Sequence, residues 1–310
     1  MNASYFLELY ESGYRDFDGI HLSGVDLDQR ILVAVNLTQA SLIGAQLSRT
    51  FLTKAKLYGA NLHRANLGFS KLSEADLRGA NLSKSNLRGA FLVNACLESA
   101  NLSGANLCHA NLRGANLQGV NLCGSNLQGA NLRGANLAHA NLSWANLSGT
   151  RMSGVALDRA QLADVDLEGA YLNGVDFRGM DLGGVNLRQA RLNGAKLDLV
   201  NFTAANLSQA TLRRASLQDA NLTGANLTGA VLWYAQMEGV NLSRADLSRA
   251  NLAGATLKAV AIAGAEFTDA ILPETARREL YQLATGETLW SRRSTRETLE
   301  RSQFVDQLVF

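Results

Sequence analysis

A five-residue word runs through this chain in one unbroken register. With leucine as its centre, the word recurs at every fifth position from Leu22 to Leu272, which makes 51 centres. The centre departs from leucine only at Met152, Phe177, Phe202, Met237, Ile262 and Phe267, all apolar. Two residues before each centre stands a small residue, usually alanine, as in Ala100, Ala105, Ala110 and Ala115. The residue just before the centre is asparagine ten times running, from Asn101 to Asn146. The stretch ANLSGANLCHANLRGANLQG, Ala100 to Gly119, shows the word four times over.

Neither regular element takes this period. On an α-helix five residues turn the side-chain direction by about 140°, so successive leucines would wander around the helix. A continuous strand alternates faces with period two, so an odd repeat would flip each leucine to the other side. A short extended piece followed by a turn does fit: alanine and leucine point inward, asparagine points outward, and the next two residues bend the backbone. Repeated, this makes a coil, and a coil that buries one leucine per word cannot offset the entropy of ordering five backbones. Backbone hydrogen bonds to neighbouring coils must make up the difference, so the coils have to stack. Larger residues at the alanine position, Arg30 and Met180, predict local strain or widening.

The A-(N/D)-L-x-G word, held over residues 20 to 272, resembles that of the pentapeptide-repeat family. The resemblance implies an all-β solenoid, a right-handed quadrilateral β-helix with four words per coil. At four words per coil the repeat makes about thirteen coils, a rod of about 60 Å at roughly 4.8 Å per coil. The expected division is an N-terminal helical cap over 1–19, the β-helix over 20–274 and a C-terminal helical cap over 275–310. At the first end, Ser4 is expected to cap a short helix through Phe6, Leu7 and Tyr10, closed by Gly13. At the other, Pro273 is expected to open a helical stretch to about Gly286, with Ala276, Leu280 and Leu283 on one side. A second helix is expected from Ser294, which with Glu297 forms a capping box, through Leu299, Val305 and Leu308. The apolar end FVDQLVF is a candidate dimer contact, giving a homodimer through the C-terminal tail.

Composition narrows function by exclusion. Lysine and arginine total 29 against 27 acids, a net charge of +2, so no whole-chain field marks a nucleic-acid or membrane binder. No basic segment followed by an apolar run opens the chain, and nowhere do eighteen apolar residues stand together, so a cytoplasmic protein is expected. Three cysteines, Cys96, Cys108 and Cys123, lack C-x-x-C spacing, and the four histidines, His21, His63, His109 and His139, lie far apart. Neither set predicts a metal site. No nucleophile triad, carboxylate pair or phosphate-binding loop assembles, and a convex rod offers no pocket; no enzyme activity and no cofactor are expected. The stacked asparagines are expected to form hydrogen-bonded amide ladders.

Function should then lie where the word is spoiled. Sorted by a twenty-residue coil, the face centred on Leu52, Leu72, Leu92 and their successors carries Lys54, Lys71, Arg113, Arg133, Arg151, Arg191, Arg213 and Arg214, with Glu74 its one acid. The same face carries Phe51, Phe91, Tyr171, Trp233 and Tyr234 pointing outward. Arginine with exposed aromatics is the composition of a protein-binding surface. Cation–π stacking along the column is the competing structural explanation. The expected function is a non-enzymatic protein-binding scaffold or regulatory protein whose partner is another protein, with no membrane role. Some members of the family are thought to imitate duplex DNA and occupy topoisomerases, a role that calls for an acidic rod and is disfavoured by the charge of +2. Nucleic-acid binding by the basic face is a third and weak reading, and it would depend strongly on salt.

Overall fold

The computed structural model describes residues 2–306. They fall into two compact units, divided between Gln161 and Leu162. In both units the words with asparagine before the centre and a following coil of the same unit share one anatomy, and it follows from where the backbone donors go. In the word Asn101–Ala105 of the first unit, Asn101 N–H donates to Ala80 O of the preceding coil at 2.9 Å. Leu102 N–H and Gly104 N–H donate to Asn121 O and Cys123 O of the following coil at 2.7 and 2.9 Å. Ala105 N–H closes the turn on Leu102 O at 3.0 Å. The remaining donor, Ser103 N–H, has no backbone acceptor within reach and donates to the Asn101 Oδ1 at 3.1 Å. All five donors are thereby satisfied, as buried backbone requires. The word Asn221–Ala225 of the second unit repeats the pattern, with Thr223 N–H donating to Asn221 Oδ1 at 3.1 Å.

Asparagine before the centre therefore serves two purposes. Its carbonyl forms an Asx turn under the one donor that the backbone leaves over. In places its amide also donates to the preceding coil, as from Asn86 to the Asn66 Oδ1 at 2.9 Å and from Asn131 to the Asn111 Oδ1 at 3.2 Å, which is the expected ladder. The turn needs a left-handed residue at its third position, the geometry of a type II turn. Gly104 supplies it with φ +63. Many non-glycine residues hold the same conformation, among them Phe69, His109 and Tyr234.

Coils pair through single-residue parallel bridges offset by twenty residues, so each coil consumes four words. The bridges run from Asp16↔Asn36 to Asn141↔Gln161 in the first unit and from Asp166↔Asn186 to Asn251↔Ile271 in the second. Extended strands are confined, among the described residues, to β1 (Ile271–Pro273) and β2 (Gln303–Val305). The solenoid is thus built from turns and bridges. Inside, the centres and the small residues two before them form the core, with Leu102 and Ala105 at 0 and 1% exposure. Arg30 and Met180 depart from the expected inward placement: Arg30 is exposed and Met180 half-buried. Each lies in the first coil of its unit, with a neighbouring coil of that unit on one side alone, so its side chain is not forced inward.

The termini correct several expectations. The first helix, α1 (Ala3–Glu11), is capped by Asn2, whose side chain accepts from Tyr5 N–H at 2.9 Å, and not by Ser4, which is helical. Gly13 follows it at φ +99, as expected. Buried Phe6 packs on Phe17 with ring centroids 4.5 Å apart, and the Tyr10 hydroxyl donates to Val33 O, which fixes α1 on the first coil. Pro273 ends β1 where it was expected to open a helix, and a 3-10 turn, Glu274–Ala276, leads into α2 (Arg277–Leu283). The Ser294–Glu297 capping box is present and opens α3, but α3 spans Thr295–Glu300 only. Val305 lies in β2, paired parallel with Pro273 of β1. Gln303 N–H donates to Ala270 O at 2.8 Å: the last repeats leave open acceptors, and an extended chain meets them where a longer helix could not. Phe304 and Val305 of the expected dimer contact are half-buried in this pairing, and Leu308 lies outside the described residues.

Buried Glu266 pins the loop between α2 and α3. Its carboxylate accepts from Thr288 Oγ1 at 3.0 Å, from Ser291 Oγ, and from both Thr268 N–H and Thr268 Oγ1. Burial pushes its pKa up, and these donors outweigh burial, holding the carboxyl below its ordinary value.

Replacing buried Leu127 with aspartate should unfold the first unit in chemical denaturation followed by circular dichroism, because it buries an unpaired charge. Asn126→Asp should cost less than about 1 kcal/mol, since an aspartate can still accept from Gln128 N–H. Equal losses would overturn the inside and outside assignment. A lowered folded-state pKa stabilises above the unfolded value, about 4.3, and that contribution fades as pH falls through the folded value. Glu266→Gln should therefore lower stability at pH 7 by about 1–3 kcal/mol. The gap to the parent should narrow below about pH 4, and parallel curves down to pH 3 would show that the carboxylate does not hold the loop.

Candidate binding groove on the arginine and aromatic face

Two columns of side chains climb the first unit in twenty-residue steps and enclose a groove between them. The first column occupies left-handed turn positions: Gln29, Arg49 and Phe69 at φ 60, 56 and 59, then Gly89. The second occupies bridge positions, Ile31↔Phe51↔Lys71↔Phe91. From Arg49 onward the turn and bridge residues flank a buried position, Thr50, Ser70 or Ala90, so their side chains diverge and leave a cleft of about 460 Å³ lined by Gln29, Arg49, Phe51, Phe69, Lys71 and Phe91.

Three phenylalanines stay open to solvent here: Phe51 is 44% exposed, Phe69 49% and Phe91 38%. Exposed Ile31 extends the apolar surface to one more coil. Lys71 Nζ stands 3.3 Å from the Phe91 ring centroid, a cation–π pair between successive coils. Phe69 leans over the next coil, where Gly89 makes room: a Cβ on Gly89 would lie 2.6 Å from the Phe69 ring. The same pairing of a ring with a glycine twenty residues on recurs at His109 with Gly129 and at Tyr234 with Gly254.

The structure sorts the residues singled out from the sequence. Phe51, Lys71 and Phe91 meet in the groove. Lys54 is exposed and paired with Glu74 at 3.6 Å, and Arg113, Arg133 and Arg151 are exposed on later coils of the first unit. In the second unit the face is braced. Arg191 covers the half-buried Tyr171 at 4.4 Å, and Arg213 covers Trp233 at 4.4 Å. Trp233 is half-buried, not fully outward, and its Nε1 is buried with no hydrogen-bond partner among the described residues. Arg214 and Tyr234 are exposed. Gln29, Arg49 and Phe69 were missed because sorting by face assigned them to the preceding side. The signal that could have found Phe69 is a ring at a turn position followed by glycine twenty residues later.

Other candidate chemistry does not converge. Among the described residues no three histidine, cysteine or acidic side chains are placed to hold a metal ion, and the three cysteines are free. No helix among them is long and apolar enough to cross a membrane. A second cleft of about 390 Å³ lies over Asp246, Glu266, Trp290 and Arg293, but its inner carboxylates are occupied, Asp246 by Thr228 Oγ1 and Ser248 N–H and Glu266 by the loop donors.

Eight stretches match the family profile described as pentapeptide repeats, at residues 20–59, 60–98, 92–129, 100–138, 115–154, 160–198, 195–233 and 235–272. The chain belongs to the pentapeptide-repeat family. Comparison with curated proteins gave no match. Among solved structures this pentapeptide-repeat chain is similar to HetL, a pentapeptide repeat protein involved in heterocyst differentiation regulation from the cyanobacterium Nostoc sp. strain PCC 7120. The identity is 32%, covering 86% of this chain and 96% of HetL, with a TM-score of 0.30. A pentapeptide repeat protein from the Arabidopsis thaliana thylakoid lumen is 33% identical over 45% of this chain and 86% of its own, with a TM-score of 0.26. Full-length QnrB1, a plasmid-mediated fluoroquinolone resistance protein, is 14% identical over 80% of this chain and 93% of its own, with a TM-score of 0.29.

Gly89→Ala and Gly79→Ala separate backbone strain from ring contact. Both glycines have positive φ, +63 and +64, but a Cβ on Gly79 meets nothing within 4 Å. Gly79→Ala should cost about 1 kcal/mol in thermal or chemical denaturation. Gly89→Ala should cost about 1 kcal/mol more, because the Phe69 ring must move. Equal costs would show that Phe69 does not rest on Gly89.

Proposed function

We propose that this chain is a non-enzymatic binding scaffold that engages another protein through its arginine and aromatic face, with the groove of the first unit as the principal contact. The observation that carries this reading is the row of exposed phenylalanines at Phe51, Phe69 and Phe91 on successive coils. The repeat does not require them, since asparagine or glycine fills the corresponding places elsewhere. Large exposed aromatics beside cations are the residues that anchor protein interfaces. The caps and coil handedness proposed are those of the family: right-handed coils, with α1 and the segment after Pro273 covering the ends.

The second-unit aromatics fit this proposal less well. Tyr171 and Trp233 are engaged by Arg191 and Arg213 and are half-buried, which suits bracing of the stack. The net charge of +2 weighs against imitation of duplex DNA.

Affinity capture from a native lysate tests the reading. Phe51→Ser with Phe91→Ser should abolish capture of the partner while moving stability by less than about 1 kcal/mol, since both rings are exposed. Trp233→Ser should lower the melting temperature and retain capture. Capture unchanged by the phenylalanine replacements, or lost only with Trp233, would sink the assignment of the first-unit groove.

A further inference from the structure

The groove carries charge as well as apolar surface, and that charge selects its occupant. Two of its six lining residues, Arg49 and Lys71, are cations and none is an acid. Arg49 is exposed and makes no ion pair among the described residues. Exposed Arg30 stands between Gln29 of one column and Ile31 of the other. The acids close by in sequence are already engaged: Asp28 Oδ1 accepts from Ser48 N–H at 2.6 Å, and Glu74 faces Lys54. A ligand entering here meets three phenylalanine rings and a guanidinium with no carboxylate opposite it.

Resting on the reading of this face as a protein-binding surface, we infer that the groove takes an acidic protein segment anchored by a large apolar side chain. The anchor packs between Phe69 on one wall and Phe51 and Phe91 on the other, and a neighbouring carboxylate pairs with the Arg49 guanidinium. Burying a ring or branched aliphatic side chain supplies affinity, and a guanidinium fork facing a carboxylate supplies orientation.

A single-stranded nucleic acid is the other polymer that uses rings with cations, by stacking bases on exposed aromatic faces. The geometry is against it. The Lys71 ammonium already occupies a face of Phe91 at 3.3 Å, and Phe69 lies against the Gly89 backbone. Two lining cations also give little purchase on a chain of phosphates.

The test is a titration of the full chain with three blocked heptapeptides, followed by fluorescence anisotropy. The first alternates glutamate with leucine and phenylalanine, the second replaces every glutamate with lysine, and the third replaces the apolar residues with alanine. Only the first should bind. Phe51→Ala with Phe91→Ala should weaken it by about tenfold or more. Arg49→Gln should weaken it by about threefold or more and flatten its salt dependence. Arg64→Gln, an exposed cation at another corner of the same unit, should leave binding within about twofold, as a remote surface charge does. Melting curves on each variant establish that the fold is retained. Equal binding of the lysine peptide, or no detectable binding of the acidic one, would overturn the inference. So would displacement of the acidic peptide by an oligothymidine strand, which would assign the groove to nucleic acid. If lysate capture still depends on Phe51 and Phe91 while the acidic peptide fails, the protein-binding reading stands and only the occupant is wrong. If neither depends on them, both fall.

Discussion

Everything in this structure depends on backbone hydrogen bonds that leave the coil in which they originate. Of the five donors in a word, three reach an adjacent coil, one closes its own turn and one is left to an asparagine or aspartate carbonyl oxygen. A single coil therefore holds few of its own bonds. Its leucine is buried only because the alanines two positions earlier let the walls close on a narrow interior. Cohesion is lateral and repeats every twenty residues, which is why the register cannot slip: an inserted residue would shift every donor past it out of alignment.

A uniform interior leaves chemistry only to the outside. Within each word three side chains have freedom to vary: the bridge residue and the two turn residues. The left-handed turn residue has the most unusual backbone, and at Phe69 and Tyr234 the chain places a ring there over a glycine of the next coil, Gly89 and Gly254. The groove arises because one such turn column passes beside a bridge column that also gave up asparagine for phenylalanine and lysine. Phenylalanine at a bridge position forgoes the Asx turn, since its ring accepts no hydrogen bond from the turn donor. The loss at Phe51, Lys71 and Phe91 contrasts with the ten words from Asn101 to Asn146, each of which keeps that turn.

The end of the second unit shows the same lateral logic meeting an ordinary chain. Open carbonyls on the last repeats are met by Gln303 and the strand it begins, and buried Glu266 ties the loop before α3 to the coil beneath. Patterns of apolar spacing suggested helix through Val305, because alternation over so short a span cannot tell a helix from a strand. The unpaired acceptors of the coil decided it.

Sequence alone determined the coil: the unbroken centre, the small residue two places before it, and the inward and outward sense of most positions, with exceptions such as Arg30 and Met180 in a unit's first coil and the buried Glu266 under the loop before α3. It also determined the Ser294 capping box, because that motif is local. Four words per coil entered through resemblance, since the period of five does not itself say how many words close a turn; the twenty-residue bridges supply it. Which outward residues meet was decided by tertiary structure. Phe51, Lys71 and Phe91 were legible as a column because they share one face, but Arg49 and Phe69 lie around a corner that only the left-handed turn brings against them. Arg213 over Trp233 and Lys71 over Phe91 look alike in sequence. One ring is held half-buried and the other left open, and that difference depends on how neighbouring side chains lean across the coils, which no spacing rule contains.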